Sequence, residues 1–247
     1  MNKKIIIIAI LAVFGGAGLA VWATSNPFTW TNGLVGYWPF DGQYTTSTAG
    51  TTDVSGNGGW GTFTNGVGVT GGISGQAAKI DGVDDYVSVA DKDSLDWTGG
   101  GWSVEAWVFI SGVSTDWVHL IDKGNSNYWL DLSGGASAGK EIAFYTSIGG
   151  NWSSGYVPLP NNEWHHVVGV GDDTAKTLKI YLDGRLGTPA GSYTGSPSAN
   201  TGALVFGALA GARYANGMLD EIRMYNRVLS ADEVMQHYQQ TRRRVGI

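Results

Sequence analysis

Residues 161–186 constrain the fold of this chain most strongly, because their apolar side chains recur with a period of two. In 164–170 and in 178–182 the recurring residues are largely β-branched or aromatic, which is typical of β-strands. The polar cluster at 171–174 predicts a turn between these strands, and 183–184 predicts a second tight turn that accepts positive φ. The stretch therefore predicts a β-hairpin followed by another chain reversal.

Segments of the same kind recur along the chain and are separated by turns rich in Gly, Ser and Asn. Their spacing of about ten residues is typical of a β-sandwich. Residues 102–110 are apolar on both faces apart from Ser103 and Glu105, so we expect a central strand there. The other predicted strands lie within 34–42, 60–69, 77–89, 118–122, 128–132, 141–146, 204–208 and 217–225.

The C-terminal segment predicts one short helix that packs on the edge of the sandwich. Ser230 is placed to cap the first turn, and Glu233 completes a capping box. Leu229 and Val234 have the spacing of a hydrophobic staple. Three arginines follow at 242–244; we interpret them as a solvated, frayed helix end whose charges suit the helix dipole, with a docking tail as the alternative.

Glycine and aromatic residues are frequent in this chain, and charged residues are scarce. Of 247 residues, 39 are Gly, 12% are aromatic and 15% are charged. Average proteins contain about 7% Gly and about 25% charged residues, so this composition favours many strands joined by tight turns. The length suits one large sandwich domain. Because the chain has no Cys, its core or a metal must provide the stability that disulfides give to many exported proteins.

The N-terminus predicts export. Lys3 and Lys4 precede a continuous apolar run, and small or apolar residues end the stretch at Ala23. This arrangement is that of a signal peptide, with an uncleaved N-terminal membrane anchor as the alternative, since the run approaches the ~17–25 residues that span a bilayer. We therefore divide the chain into a signal peptide or anchor (1–23), a linker (24–33) and one domain (34–247), secreted or at the cell surface.

The charge of the chain excludes some partners. The formal net charge is −6, and it becomes −8 without the two leader lysines. A negative field disfavours nucleic acid and anionic membranes as partners. We expect no nucleic-acid binding, and contact with a membrane only through an uncleaved N-terminal segment.

Seven short motifs follow one another between residues 33 and 238. They are GLVGYWPFDG (33–42), DVSGNG (53–58), DGVDDYVSV (81–89), SVEAWV (103–108), NEWHHVV (162–168), LKIYLDG (178–184) and LDEIRMYNRVLSADE (219–233). In this order they resemble the laminin-G-like branch of the concanavalin A-like lectin/glucanase superfamily. The resemblance implies an all-β, two-sheet antiparallel jelly-roll sandwich. It also implies a carbohydrate-binding or adhesive module, often with structural calcium, although a minority of relatives are glycosidases or lyases.

The same resemblance implies a position for Ca²⁺, where the first strand meets the last. The matching residues are Asp41 and Asp220, with backbone carbonyls of 53–57 as additional ligands. Carboxylate and carbonyl oxygens are the ligands that Ca²⁺ prefers. The alternative is that Asp41 begins a turn and that Asp220 pairs with Arg223 or caps backbone.

Aromatic side chains in or beside polar turns are candidates for sugar binding, because pyranose rings stack on exposed aromatic rings and hydrogen-bond to nearby polar groups. The aromatic residues in such positions are Trp117, Tyr128, Trp129, Trp152 and Tyr156, and of these we predict ligand contact for Trp117, Tyr128, Trp152 and Tyr156. Since 11 Trp cannot all be exposed in one sandwich, we assign Trp38, Trp107 and Trp164 to the core.

The sequence offers little support for catalysis, and we predict no catalytic residue. Glycosidases need two carboxylates about 5 to 9.5 Å apart. The Glu-x-Asp-x-x-Glu run of the related glucanases is absent, which leaves Glu105, Asp131 and Glu163 as carboxylates that a sheet could bring together. We therefore expect a non-enzymatic domain that binds a polysaccharide or surface glycan. The alternatives are a structural cell-surface or adhesion protein with a protein partner, and a glycan hydrolase or lyase.

Overall fold

The computed structural model describes residues 30–42, 45–46, 49–113, 117–124, 127–133, 140–150, 152–209 and 212–245. The leader (1–23) and residues 24–29 of the linker lie outside the described residues. Thr31–Ile247 forms one compact unit. Within the described ranges, no helix is long and apolar enough to cross a membrane.

One antiparallel sheet, which we call sheet I, has the order β16-β15-β14-β8-β20-β6-β5, with β1 and β19 paired to β20 and β17 paired to β15. Its strands are β1 (Leu34–Trp38), β5 (Gly68–Gly71), β6 (Gln76–Asp81), β8 (Gly101–Val113), β14 (Trp164–Asp172), β15 (Thr177–Leu182), β16 (Arg185–Leu186), β17 (Gly191–Ser192), β19 (Ala208–Leu209) and β20 (Ala212–Tyr225).

The second antiparallel sheet, sheet II, has the order β12-β11-β10-β9-β18-β7-β4-β3-β2, with β13 paired to β11. Its strands are β2 (Thr45–Thr46), β3 (Gly50–Thr51), β4 (Gly61–Thr64), β7 (Tyr86–Val89), β9 (Val118–Lys123), β10 (Tyr128–Ser133), β11 (Glu141–Thr146), β12 (Trp152–Ser153), β13 (Val157–Pro158) and β18 (Leu204–Phe206). A 3₁₀ turn (Asp93–Leu95) and the helix α1 (Ala231–Val245) complete the described elements.

The predicted all-β, two-sheet jelly-roll sandwich is confirmed. One continuous hydrophobic core, made by the inward side chains of both sheets, fills the space between them. Its largest fully buried side chains include Trp38, Trp97, Trp102 and Phe144. Burial of this much apolar surface stabilises a domain without disulfides.

The predicted hairpin is also confirmed. β14 and β15 pair antiparallel from Val167 opposite Leu182 to Asp172 opposite Thr177. The chain then reverses at Asp183 and Gly184, whose φ angles are 50° and 77°. Positive φ at both central residues matches the right-handed twist of the strands, which is why Asp-Gly pairs are favoured in such turns.

The prediction that 102–110 forms a central strand is correct. β8 lies between β14 and β20 and is hydrogen-bonded to both along most of its 13 residues. Ser103 and Glu105, the polar residues of this segment, are both fully buried, and both have hydrogen-bond partners. Polar groups are tolerated inside a protein when they are hydrogen-bonded in this way.

Helix α1 begins as the sequence predicts. Glu233 Oε2 accepts from the backbone N–H of Ser230 (2.8 Å), and Ser230 Oγ accepts from the N–H of Glu233 (3.3 Å). Leu229 and Val234 pack in the same buried cluster. The helix is longer than predicted, because it continues through residues 242–244 to Val245 instead of fraying there.

The three tryptophans assigned to the core differ in their surroundings. Trp38 is fully buried between the sheets. Trp107 is buried too, but its ring stacks on Tyr238 of α1, on the outer side of sheet I. Trp164 is only half-buried, so its assignment to the core was wrong; its ring packs edge-on against Phe109.

We predict that Gly169→Ala destabilises the domain. A Cβ at Gly169 in β14 would lie 2.4 Å from a ring carbon of Phe144 in the opposite sheet, so one of them must move. Overpacking of this kind typically costs about 1–3 kcal/mol. The control is Gly112→Ala in β8, where a Cβ meets nothing within 4 Å. Urea unfolding should show a lower free energy of unfolding for Gly169→Ala and not for Gly112→Ala. Equal stability of the two variants would contradict the close packing of the sheets.

Candidate functional site

The outer face of sheet II, which points away from the core, carries a group of aromatic side chains on β9, β10, β11 and the segments beside them. We call Trp117, His119, Trp129, Tyr145 and Tyr156 the aromatic face. The strand register explains their grouping: Trp129 lies directly opposite Tyr145 across the β10–β11 pair. On the inner face, the alternating residues of the same strands are aliphatic or aromatic and form the core.

The rings of the aromatic face are in mutual contact. His119 stacks on Trp129 with a centroid distance of 5.5 Å, and Trp129 stacks on Tyr145 at 5.3 Å with only 8° between the planes. Trp117 lies edge-on to Tyr145 and to Tyr156, at 6.5 Å from each. Aromatic pairs in these geometries each contribute about 0.5–1.5 kcal/mol beyond their buried area, so they hold one another in place.

Trp117 is the outermost ring of the aromatic face. Its side chain is 45% exposed, and its backbone has a φ of 62°. A bulky residue rarely adopts positive φ, and such strain occurs preferentially at functional sites. The fold therefore holds a large apolar ring in solvent, although its neighbours Tyr145 and Trp129 are largely covered.

A depression of about 250 Å³ opens into this face and is lined by Trp117, His119, Trp129, Asp131, Tyr145 and Arg213. Asp131 is fully buried, and neither of its carboxylate oxygens has a hydrogen-bond partner among the described residues. Its partners across the strands are His119 and Ala143. Buried carboxylates without partners are rare and costly, so this one requires an explanation.

Burial raises the pKa of Asp131 to about 6, while the positive charges of His119 and Arg213 oppose this shift. The carboxylate is therefore ionised above about pH 6 in spite of its burial. Arg213 is exposed and belongs to β20, so sheet I supplies one residue to the rim of the depression. Burial and the nearby carboxylates of Asp131 and Glu141 raise the pKa of Tyr156, which keeps its hydroxyl protonated.

A β-bulge shapes the floor of the depression. The register of the β9–β10 pair shifts between Leu130 and Asp131, so that Asp131 pairs with His119 while Trp129 pairs with Asp122. His119 Nδ1 lies 3.1 Å from Asp122 Oδ2 and is thereby held in its stack on Trp129. Bulges next to binding sites commonly re-aim a side chain in this manner.

Two of the four predicted ligand-contact residues, Trp117 and Tyr156, lie together on the aromatic face. The structure places the other two elsewhere. Tyr128 is fully buried in the core, where its hydroxyl donates to the carbonyl of Leu95 (2.8 Å), so its ring has no face open to a ligand. Trp152 is half-buried and packs against the core at the edge of sheet II.

The sequence named Trp129 among the aromatic residues beside polar turns without predicting ligand contact for it, and it did not assign Asp131, Tyr145, His119 or Arg213 to the site. The alternation along β10 contains the signal for two of them: Tyr128, Leu130 and Leu132 share one face, so Trp129 and Asp131 must share the other. No local pattern identifies Arg213, because it reaches the depression from a strand of the other sheet.

The three carboxylates considered for glycan hydrolysis lie on separate surfaces. Glu105 is fully buried on the outer side of sheet I, where it contacts the side chain of His237 in α1. Asp131 lies at the base of the depression in sheet II, and Glu163 is exposed in the segment before β14. They do not form the pair of carboxylates that a glycosidase needs.

The predicted calcium ligands, Asp41 and Asp220, both contact the turn that joins β5 to β6. Asp41 Oδ1 accepts from the N–H of Gln76 (3.0 Å), and Asp220 Oδ2 accepts from the N–H of Ser74 (3.0 Å). The turn is built close to them: a Cβ at Gly75 would meet Asp41 Oδ1, and one at Gly72 would meet Asp220 Oδ2.

These residues fit a hard cation. Asp220 is fully buried, and burial together with the negative charges of Glu221 and Asp41 raises its pKa well above the ordinary range of an aspartate. A divalent cation would relieve this accumulation of negative charge. The loop 53–57 is held in shape by the carboxylate of Asp53, which accepts hydrogen bonds from the N–H groups of Tyr37, Ser55 and Gly58.

A second acidic group consists of Asp81, Asp84 and Asp85, whose carboxylates approach within 4.8 Å of one another. Asp81 Oδ1 accepts from the N–H of Val83 (2.8 Å), which is the Asx-turn that such clusters commonly form. Because Asp81 and Asp84 are exposed, this group does not require a metal.

Solved structures with the same fold are mostly binding domains. One of them is domain 4 of AbnA, a GH43 extracellular arabinanase from Geobacillus stearothermophilus, which was solved in complex with arabinotriose. It shares 19% identity with this chain at a TM-score of 0.64, and the match covers 82% of this chain and 97% of that one. The binding domain of Paraclostridial Mosquitocidal Protein 1 shares 15% identity with this chain at a TM-score of 0.67. The match covers 85% of this chain and 52% of that one. The binding domain of botulinum neurotoxin serotype G shares 14% identity with this chain at a TM-score of 0.64. The match covers 84% of this chain and 51% of that one.

This chain therefore spans about half the length of those toxin binding domains. At these identities the likeness concerns the fold. No curated protein sequence matches the chain. The family profile of laminin-G type matches residues 81–235, more than half of the chain, and the protein belongs to the concanavalin A-like lectin/glucanases superfamily.

Proposed function

We propose that this protein is an exported, non-catalytic domain that binds a glycan on the aromatic face. One observation carries the proposal: the fully buried Asp131 carboxylate, without a hydrogen-bond partner among the described residues, lies at the base of a depression rimmed by the exposed ring of Trp117. The apolar leader at 1–23 supports export.

The aromatic rings supply the apolar part of glycan recognition. One side of a pyranose ring is formed by C–H groups and stacks on an indole or phenol ring. Trp117 presents such a surface to solvent, and its contacts with Tyr145 and Tyr156 hold it in position. A ring that is already fixed loses little conformational entropy when the ligand binds.

Asp131 supplies the polar part. A carboxylate accepts up to about four hydrogen bonds, and neighbouring hydroxyl groups of a sugar can donate two at once. Hydrogen bonds to a charged acceptor are strong in a low-dielectric site. The bonds from a hydroxyl-bearing ligand would therefore offset the free energy that burial of the Asp131 carboxylate costs the free protein. Arg213, at the rim, adds donors for ring or glycosidic oxygens.

The size of the depression also favours this ligand class. Pockets for drug-sized molecules occupy about 300–1,000 Å³, and the depression holds about 250 Å³. It therefore accepts about one sugar residue, while the rest of the glycan lies across the surface. The similar domain 4 of the arabinanase was solved with arabinotriose, which supports a small carbohydrate ligand.

The two alternative functions have less support. A hydrolase needs two carboxylates at one site, whereas Glu105, Asp131 and Glu163 are separated as described above. A broad protein-binding surface requires a contiguous exposed apolar patch. Within the described ranges the large exposed apolar residues are scattered in sequence and sheet: Trp60, Val83, Trp117, Leu186 and Val228.

We predict that Trp117→Ala weakens selective glycan binding. The matched control is Trp60→Ala, because Trp60 is also 45% exposed but does not line the depression. On a glycan array, the full-length protein should bind a defined set of glycans, and Trp117→Ala should lower the affinity at least about tenfold, as expected for loss of a central aromatic contact. No binding by the wild type, or equal loss in both variants, would contradict the proposal.

Asp131→Asn tests the same site through stability. The folded-state pKa of about 6 exceeds the unfolded value of about 3.9, so the stability gained by protonation is complete below about pH 4 and is lost as the pH rises through 6. At pH 8, Asp131→Asn should be more stable than the wild type by about 1–3 kcal/mol, and this gain should vanish near pH 4. Urea unfolding at pH 4, 6 and 8 measures it.

Glycan binding by Asp131→Asn should nevertheless fall, since an amide accepts fewer hydrogen bonds than a carboxylate. A variant that is less stable than the wild type at pH 8 would show that the Asp131 carboxylate already has a partner in the fold.

We also propose that Asp41 and Asp220 hold a structural Ca²⁺. At pH 7.5, Ca²⁺ at about 100 times its Kd should stabilise the domain by about 2.7 kcal/mol, and a chelator should remove this gain. The gain should shrink as the pH is lowered, because the raised pKa of Asp220 lets protons compete with the metal. Asp220→Asn should abolish the response in thermal unfolding, while the control Asp81→Asn should keep it; an unchanged Tm in chelator would rule the site out.

A further inference from the structure

A second depression, on the other side of the sandwich, lies between helix α1 and the turn that joins β15 to β16. It occupies about 750 Å³. We call it the arginine groove, because Arg185 lines it from the hairpin while Arg242 and Arg243 line it from the helix. At one end the turn closes against the helix, where a Cβ on Gly184 would meet the Met235 side chain at 2.9 Å.

The three guanidinium groups of the groove have no carboxylate partner in the part of the chain that the structure describes. Among the described residues, none of Arg185, Arg242 and Arg243 forms an ion pair. The one carboxylate in the lining, Asp183, is engaged elsewhere: it accepts from the N–H of His166 and contacts His165 Nδ1, both at 2.9 Å. The groove is thus a local concentration of positive charge on a chain with a net charge of −6.

One of these arginines is held in place. Arg242 donates to the hydroxyl of Tyr238 (3.1 Å), and its guanidinium carbon lies 5.5 Å from the centre of the Tyr238 ring. Stacking on an aromatic ring fixes a guanidinium while its other N–H groups remain available for an oxyanion. The planar donor fork of Arg suits carboxylate and sulfate groups in particular.

We propose that the arginine groove binds an acidic polysaccharide through its carboxylate or sulfate groups. A single small anion would leave most of the groove empty, whereas a polymer with an anionic group on successive residues would meet several arginines. An anionic membrane fits less well, because stable attraction takes about four to eight clustered basic residues, and the negative field of the rest of the chain opposes a flat anionic surface. This site is separate from the aromatic face, and its ligand is independent of the one proposed there.

The test is binding of the full-length protein to immobilised polygalacturonate, dextran sulfate and neutral dextran at about 50 mM salt, where the Debye length of about 14 Å leaves surface charges effective. We expect binding to at least one acidic polymer and not to dextran. Arg185→Ala/Arg243→Ala should weaken it at least tenfold, and Arg185→Lys/Arg243→Lys should weaken it less. Both residues are exposed, so the fold should be retained.

The matched control is Lys79→Ala/Lys92→Ala, which removes the same charge from exposed positions outside the groove. It should change the affinity less than twofold, and so should Trp117→Ala. No binding to either acidic polymer, or equal loss in the lysine variant, would overturn the proposal. Tighter binding to anionic vesicles or RNA with the same arginine dependence would also overturn it, because the ligand would then belong to another class.

Discussion

The organisation of this protein depends on one carboxylate that has no access to solvent. Glu105 projects from β8, and its two oxygens contact groups from three other elements: His166 Nε2 of β14 at 3.0 Å, Arg223 of β20 at 3.3 Å, and His237 Nδ1 of α1 at 2.7 Å. Burial raises the pKa of Glu105, but these partners outweigh it and lower the pKa well below the usual range. The buried charge is therefore compensated, as such charges must be.

This network extends across sheet I and fixes the helix. Arg223 also pairs with Glu221, which accepts from the hydroxyl of Tyr37 in β1, and the guanidinium lies 4.2 Å from the centre of the Tyr37 ring. The rings of Trp107, His166 and Tyr238 are in mutual contact. Breaking a buried ion pair by removal of one partner typically costs about 3–5 kcal/mol. The contact between His237 and Glu105 thus fixes helix α1 on sheet I. The helix covers the outer face of this sheet and forms one wall of the arginine groove.

Local sequence patterns were sufficient to predict the fold. Alternation predicted the β14–β15 hairpin and the central strand β8, and the capping residues predicted the start of α1. The position of Trp107 was less predictable, because a strand covered by a helix on one side and a sheet on the other has two apolar faces. For the same reason we assigned Trp164 to the core from the sequence, whereas it lies half-exposed near the end of the helix-covered side of sheet I.

The candidate site was less predictable for a physical reason. Its residues come from three neighbouring strands of sheet II and from β20 of sheet I, and the register that joins them depends on a bulge at Leu130 and Asp131. A shift of one residue exchanges the faces of a strand, which is why Tyr128 enters the core while Trp129 joins the aromatic face. Proximity to a polar turn, the criterion applied to the sequence, does not distinguish the two faces.

Four carboxylates with shifted pKa values form two contrasting groups. In the first group, Glu105 is fully buried and Asp183 is partly buried; their pKa values are lowered, because histidine side chains, joined by Arg223 at Glu105 and by a backbone N–H at Asp183, outweigh the cost of burial. In the second group, Asp131 and Asp220 are fully buried and have raised pKa values. Burial outweighs the positive charges of His119 and Arg213 at Asp131, and at Asp220 burial and the negative charges of Glu221 and Asp41 outweigh two backbone N–H donors.

A carboxylate of the first group stabilises the fold with the partners already present. One of the second group lowers the stability of the free protein near neutral pH, and such a cost is typical of a site that is completed by a ligand. The ligands proposed above would act on this second group: a glycan would supply hydroxyl donors to Asp131, and a divalent cation would offset the negative charge around Asp220. The sequence singled out Asp220 only through the family resemblance and did not assign Asp131 to a ligand site, because what separates the groups is the set of charges that the fold brings to each carboxylate.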